Sequence, residues 1–176
     1  MKNELRKILL EKRRELNVFS LSEKVMNNLF SLDEYKNAKN ILCYFPLKYE
    51  IQTQRCLNDE SKNLYLPRVN GDDLEVCKYV PTEMTKGNFN IQEPTNDKLS
   101  NLDFLDMVII PCVGADKNGY RIGYGKGYYD RFLPMLSISC MKVILVYSNL
   151  LLESIQPDEF DYKADFVVTD KEIFKF

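Results

Sequence analysis

The sequence predicts an α/β fold: a three-layer single domain over residues 1–176, with a mostly parallel sheet and helices on both faces. Three observations carry this. "DMVIIP" (106–111), "MKVILVY" (141–147) and "DFVVTD" (165–170) are short, almost wholly apolar runs, as expected of strands buried on both faces. Helical patterns lie before and between the strand runs, and that alternation is the mark of a parallel sheet. The chain has 176 residues with 45% apolar and 28% charged side chains, an ordinary soluble composition.

Taken in order, residues 3–17 are predicted as a helix with Leu5, Leu9 and Leu16 on one stripe. A second helix is predicted near 21–31, with Ser20 and Glu23 as a capping box and Val25, Met26, Leu29 and Phe30 as its apolar face. "NILCYFP" (40–46) reads as a buried strand ending at proline, and residues 51–59 as a weak helix. "NLYLPRV" (63–69) and "LEVCKYV" (74–80) are further strands. After the strand at 106–111 comes "GADKNGYRIGYGKG", then a helix from about 125 to 136.

Composition removes several function classes. There is no histidine, so Ser-His-Asp, Cys-His and histidine-metal chemistry are excluded. Net charge is -2, which argues against wholesale binding to nucleic acid or an anionic membrane. The five cysteines are scattered, with no C-x-x-C, so neither a disulfide framework nor a structural zinc site is expected. The N-terminal segment lacks a signal-peptide core, and no apolar run approaches membrane-spanning length. The expectation is a cytoplasmic monomer acting on small molecules.

Four of the seven glycines fall between Gly119 and Gly127, interleaved with Arg121, Lys126 and tyrosines. Neither the Walker A pattern nor G-x-G-x-x-G fits, because Gly127 follows Lys126 and Tyr128 occupies the third glycine position. A glycine-rich backbone between a buried strand and a helix still suits an anion. Its N–H groups can approach a phosphate while Arg121 and Lys126 neutralise it. On the first helix, Lys2, Arg6 and Arg13 fall within about 40° of one another. That row borders the leucine stripe and could face a cleft, although a solvated basic face is the commoner fate of such a row.

The string "IPCVGADKNGYRIGYGKGYYDRFL" resembles the signature of the 5-formyltetrahydrofolate cyclo-ligase family. The match covers Pro111, Asp116, Gly119, Arg121, Gly123, Gly125, Gly127, Tyr128, Tyr129 and Asp130, with Ile122 in place of leucine. "KNELR", "YFPLKYEIQT", "LPRV", "GNFNIQEP" and "FDYKADFVVTD" agree in order. Phe89 stands where many members have tryptophan, and Phe160 where many have histidine.

The resemblance implies conversion of 5-formyltetrahydrofolate to 5,10-methenyltetrahydrofolate with Mg-ATP as co-substrate, through a phosphorylated formyl intermediate. It implies ATP contacts from Lys2, Arg6, Arg121, Gly123, Gly125, Lys126, Gly127, Tyr128 and Tyr129, with Arg121 and Lys126 acting in catalysis. It places Phe45, Glu50, Tyr124, Lys126 and Tyr128 at the folate, and Asp130 and Asp161 at Mg²⁺. Arg13 and Arg14 match less securely and are left outside the expected site. A folate-binding paralogue without turnover, serving storage or sensing, is the alternative, and a nucleotide-binding regulator without a folate pocket is a third reading.

Overall fold

The computed structural model describes residues 1–176, the Asn88 side chain excepted. The chain opens with helix α1 (Lys2–Arg14), whose last turn carries Lys12, Arg13 and Arg14 against the negative end of the helix dipole. Helix α2 (Val18–Ser31) starts earlier than the capping-box pattern implies. Its N-cap is Asn17, whose side chain accepts the Ser20 N–H at 3.1 Å, so Ser20 belongs to the first turn. A short helix α3 (Asp33–Asn37) leads to strand β1 (Asn40–Leu42). Helix α4 (Gln54–Leu57) is a single turn, followed by strands β2 (Asn63–Asn70) and β3 (Asp73–Lys78).

Strands β4 (Met84–Lys86) and β5 (Gln92–Pro94) form a separate hairpin. Strand β6 (Met107–Ile110) precedes β7 (Gly114–Asp116) and β8 (Arg121–Ile122), then helix α5 (Tyr128–Phe132). Strands β9 (Met141–Leu145), β10 (Leu151–Leu152), β11 (Phe166–Val168) and β12 (Ile173–Lys175) complete the chain.

The main sheet has seven strands in the order β12-β11-β9-β6-β1-β2-β3. The five inner strands are parallel, and both edge strands, β3 and β12, run antiparallel to their neighbours. The predicted α/β class with a mostly parallel sheet is therefore what the chain adopts. All four residues of β6 are fully buried, as are Val143 and Ile144 in β9 and Val167 and Val168 in β11. Successive strand residues point to opposite faces, so both faces of the central sheet are covered. No helix is long and apolar enough to cross a membrane.

Two elements differ from expectation near the glycines. The presumed loop after β6 is in part a β-hairpin, β7–β8, with β10 pairing alongside β7. The helix expected over 125–136 shrinks to Tyr128–Phe132 and a 3-10 turn, Leu133–Met135. Gly125 and Gly127 have φ of +90° and +69°, which a right-handed helix cannot accommodate, so it cannot begin before Tyr128. Pro134 has no N–H to continue it.

Strand order reverses between β1 and β6. The chain steps from β1 outward to β2 and β3, then returns to the other side of β1. Ligands of open α/β sheets bind beyond the strand ends at such a reversal.

Candidate functional site

A cleft of about 550 Å³ opens there. Phe45, Leu47 and Glu50 reach it from beyond β1, Pro67 and Val69 from β2, and Pro111 from the end of β6. Gly123 to Asp130 form its glycine-rich side, Lys2 and Arg6 enter from α1, and Asp158 and Asp161 from the segment before β11. Every residue expected to contact ATP, folate or metal lines this one cleft.

The glycine hairpin is built on Asp116, which is fully buried. Its Oδ1 accepts the N–H groups of Asn118 and Tyr120 at 3.0 and 2.8 Å, and its Oδ2 accepts that of Ile155 at 2.8 Å. The motif aspartate is thus a staple for the turn and touches no part of the cleft. Beyond it, Arg6 Nε donates to the Gly123 carbonyl at 2.7 Å, docking α1 on the glycines. A Cβ on Gly125 would stand 3.2 Å from the Arg6 Cζ and Nη1 atoms. Gly125→Ala therefore meets both a left-handed backbone and a crowded guanidinium. It is expected to cost about 1–3 kcal/mol of stability and to weaken anion binding. A thermal melt with an unchanged Tm, together with unchanged anion affinity, would show that Arg6 yields freely.

The remaining charges are arranged in opposed pairs. Arg121, with its side chain 6% exposed, donates from Nη2 to Asp130 Oδ1 at 2.7 Å. Lys2 Nζ binds Asp158 at 2.6 Å and also Asp161. Burial pulls the Lys2 ammonium down, but the two carboxylates outweigh it and hold it above the ordinary lysine value. Lys126 makes no ion pair among the described residues, and its Nζ lies 5.9 Å from the centre of the Phe89 ring. Asp130 and Asp161, expected at the metal, thus each hold a cation expected at the phosphates. No group of three or more His, Cys, Asp or Glu side chains that could hold a metal ion occurs among the described residues.

Glu50 is 5% exposed. Its Oε1 accepts the Tyr124 hydroxyl at 2.6 Å, and its Oε2 accepts the Leu47 N–H at 2.7 Å. Burial pushes the carboxyl above its usual range, while these bonds and the Arg13 charge only partly pull it back. The aromatic groups divide. Tyr124 turns its hydroxyl to Glu50, Tyr128 hydrogen-bonds the Gly71 carbonyl at 3.4 Å, and Phe45 stands half-buried in the cleft wall. Tyr129 packs edge-on to Phe132 with centroids 6.4 Å apart, and Arg121 Cζ lies 6.0 Å from its centre.

Sequence reasoning left out Arg13, which is 5% exposed and donates to the Tyr124 hydroxyl at 2.9 Å. Its place in the row with Lys2 and Arg6 was the available signal. The tip of the β4–β5 hairpin was also not foreseen. Phe89 and Asn90 both have positive φ, 57° and 63°, and Phe89 lines the cleft.

A family model described as the 5-formyltetrahydrofolate cyclo-ligase family matches residues 1–170. The chain belongs to this family. Among its relatives, the 5-formyltetrahydrofolate cyclo-ligase of Mycoplasma genitalium is 30% identical over 171 residues, covering 95% of this chain and 96% of that protein. The solution structure of the Aquifex aeolicus 5,10-methenyltetrahydrofolate synthetase is 36% identical, with a TM-score of 0.87 over 99% of this chain and 92% of that one. A Mycoplasma pneumoniae 5,10-methenyltetrahydrofolate synthetase structure is 26% identical, with a TM-score of 0.77 over 97% and 99%. The cyclo-ligase signature, expected from the glycine string, thus extends to the whole fold.

Proposed function

We propose that this chain converts 5-formyltetrahydrofolate and ATP into 5,10-methenyltetrahydrofolate, ADP and phosphate. The observation that carries the reading is the joint composition of one cleft. Lys2, Arg6, Arg121 and Lys126 gather at a glycine-rich backbone, and a buried carboxylate, Glu50, lines the same space beside Phe45.

The chemistry fits a site with no histidine. The formyl oxygen attacks the γ-phosphorus, the bond from phosphorus to the bridging oxygen breaks, and ADP leaves. N10 then adds to the activated formyl carbon. The C–O bond breaks, phosphate departs, and the N10 proton leaves with it. Phosphoryl transfer needs positioning and charge neutralisation more than covalent help. Arg6 and Lys126 are placed for the phosphates, and Arg121 for charge developing on the transferred group. Glu50 is suited to the pterin's N–H donors. Asp130 and Asp161 fit a magnesium ion, since such ions take one or two carboxylates and fill their shell with phosphate oxygens and water. When bound, it would neutralise phosphate charge.

The same reading makes the chain a single-domain monomer working in the cytoplasm. All five cysteines are free and buried, as suits a reducing compartment.

Lys126→Ala is expected to lower kcat about tenfold, ~1.4 kcal/mol of barrier. Its ammonium is exposed and free to follow the phosphoryl group, so it aids the transition state without organising the site. The overall test is the rise of methenylfolate absorbance after folded protein is mixed with Mg-ATP and 5-formyltetrahydrofolate. No rise would overturn turnover and leave a folate-binding storage or sensing role.

A further inference from the structure

We propose that Arg13 is a positioning residue: it fixes the Tyr124 hydroxyl so that its proton points to Glu50, holding that carboxylate ionised and aimed into the cleft. This inference rests on the folate-binding reading of Glu50.

Arginine can only donate, and a tyrosine hydroxyl has one proton and two lone pairs. Arg13 Nη1 lies 2.9 Å from the Tyr124 oxygen, which must therefore accept there. The hydroxyl proton is then left for Glu50 Oε1, 2.6 Å away. The relay has one direction, Arg13 to Tyr124 to Glu50. With Glu50 ionised both of its oxygens only accept, Oε1 from Tyr124 and Oε2 from the Leu47 N–H at 2.7 Å, so the carboxylate is matched by a donor on each side.

Arg13 is costly where it stands. It is 5% exposed, and its Nε has no hydrogen-bond partner among the described residues. Nη1 also reaches the Cys112 carbonyl, at 3.4 Å, and Cζ lies 5.6 Å from the Tyr124 ring centre. An aliphatic side chain would fill this position without an orphaned donor. What the arginine supplies here, and an aliphatic side chain would not, is a positive charge behind Glu50. The other titratable groups around Glu50 are Tyr44 beyond β1, Cys112 beyond β6, Tyr129 in α5 and Tyr147 beyond β9. Burial raises the pKa of each, so they stay neutral near pH 7. Among the described residues, Arg13 is the cation whose charge bears on Glu50.

The sign follows. A nearby cation favours the carboxylate, so removing Arg13 raises the Glu50 pKa. Activity that needs the carboxylate is lost as pH falls, so the acid limb of kcat/KM moves upward. The test compares the wild type with Arg13→Met, Arg13→Lys and Tyr124→Phe, each checked for folding by circular dichroism. Arg13→Met is expected to move the acid limb for 5-formyltetrahydrofolate up by about one pH unit. KM for ATP should stay within about twofold, and Arg13→Lys should restore part of the shift. Tyr124→Phe, which breaks the relay without removing the charge, should shift the limb in the same direction by less. Proton release on binding 5-formyltetrahydrofolate without ATP, measured by calorimetry in two buffers, should rise in Arg13→Met, because more of its Glu50 must ionise to bind. An acid limb and proton release unchanged in both Arg13→Met and Tyr124→Phe would overturn the proposal. Because the calorimetry needs no turnover, a wild type that binds folate but forms no methenylfolate would sink the cyclo-ligase reading alone.

Discussion

Arg121→Ala is expected to lower kcat about 10²–10³-fold, the loss typical of removing a preorganised donor from a site where charge develops. Arg121 sits on β8, is 9% exposed, and is held on one side by Asp130 and on the other by the Tyr129 ring. Such a guanidinium needs little reorganisation when negative charge appears on a transferred phosphoryl group, which is why it should count more than the exposed Lys126. Its removal also leaves Asp130 unpaired, adding a repelling carboxylate to the phosphate side. Arg121→Lys should recover only part of the loss, because an ammonium cannot reproduce the planar fork. Steady-state kinetics on the three variants, with melts to verify folding, checks the order. If Lys126→Ala abolishes turnover while Arg121→Ala stays near wild type, the two roles are reversed.

Glu50→Gln is expected to weaken 5-formyltetrahydrofolate binding by about 1.5–3 kcal/mol, the range for a hydrogen bond to a charged group. ATP affinity should be nearly unaltered. The same substitution should stabilise the fold at neutral pH. The Glu50 pKa in the folded chain lies above its unfolded value, so ionising it opposes folding, and stability is lost as pH rises through the folded value. A neutral amide escapes that loss. The gain should be present at pH 7 and shrink towards zero as pH falls below the ordinary glutamate range. Calorimetric titration of each ligand, with melts at two pH values, tests both halves. A fall in ATP affinity with folate binding intact would show that the division of the cleft is wrong.

The central strands were legible because burial on both faces leaves an uninterrupted apolar run, as in Met107–Ile110. The two- and three-residue strands β7, β8 and β10 were not. They carry no period, and tertiary contacts such as the bond from Ile155 N–H to Asp116 hold them in place. Helix starts shifted for local reasons, as where Asn17 outcompeted Ser20. In the cleft, the density of glycines and the strand-end position of Glu50 were visible in the chain itself. Arg13 was not, because a basic residue in a basic row looks like a solvated face. Its burial depends on Cys112 and Tyr124, 99 and 111 residues further on.

Of helix α1 only Leu9 and Arg13 are buried. Much of its hold on the body is polar: Arg6 on the Gly123 carbonyl, Lys2 on Asp158 and Asp161, and Arg13 on Tyr124. Arg6 and Lys2 are also the groups proposed to meet the triphosphate. Docking of the N-terminal segment and occupation of the cleft are therefore linked equilibria. A chain whose first helix has detached presents an incomplete nucleotide site, and a nucleotide that engages Arg6 resists detachment. By mass action, a ligand at a hundred times its Kd adds about 2.7 kcal/mol to the closed form. The helix thereby becomes the part of the molecule whose persistence tracks the nucleotide supply.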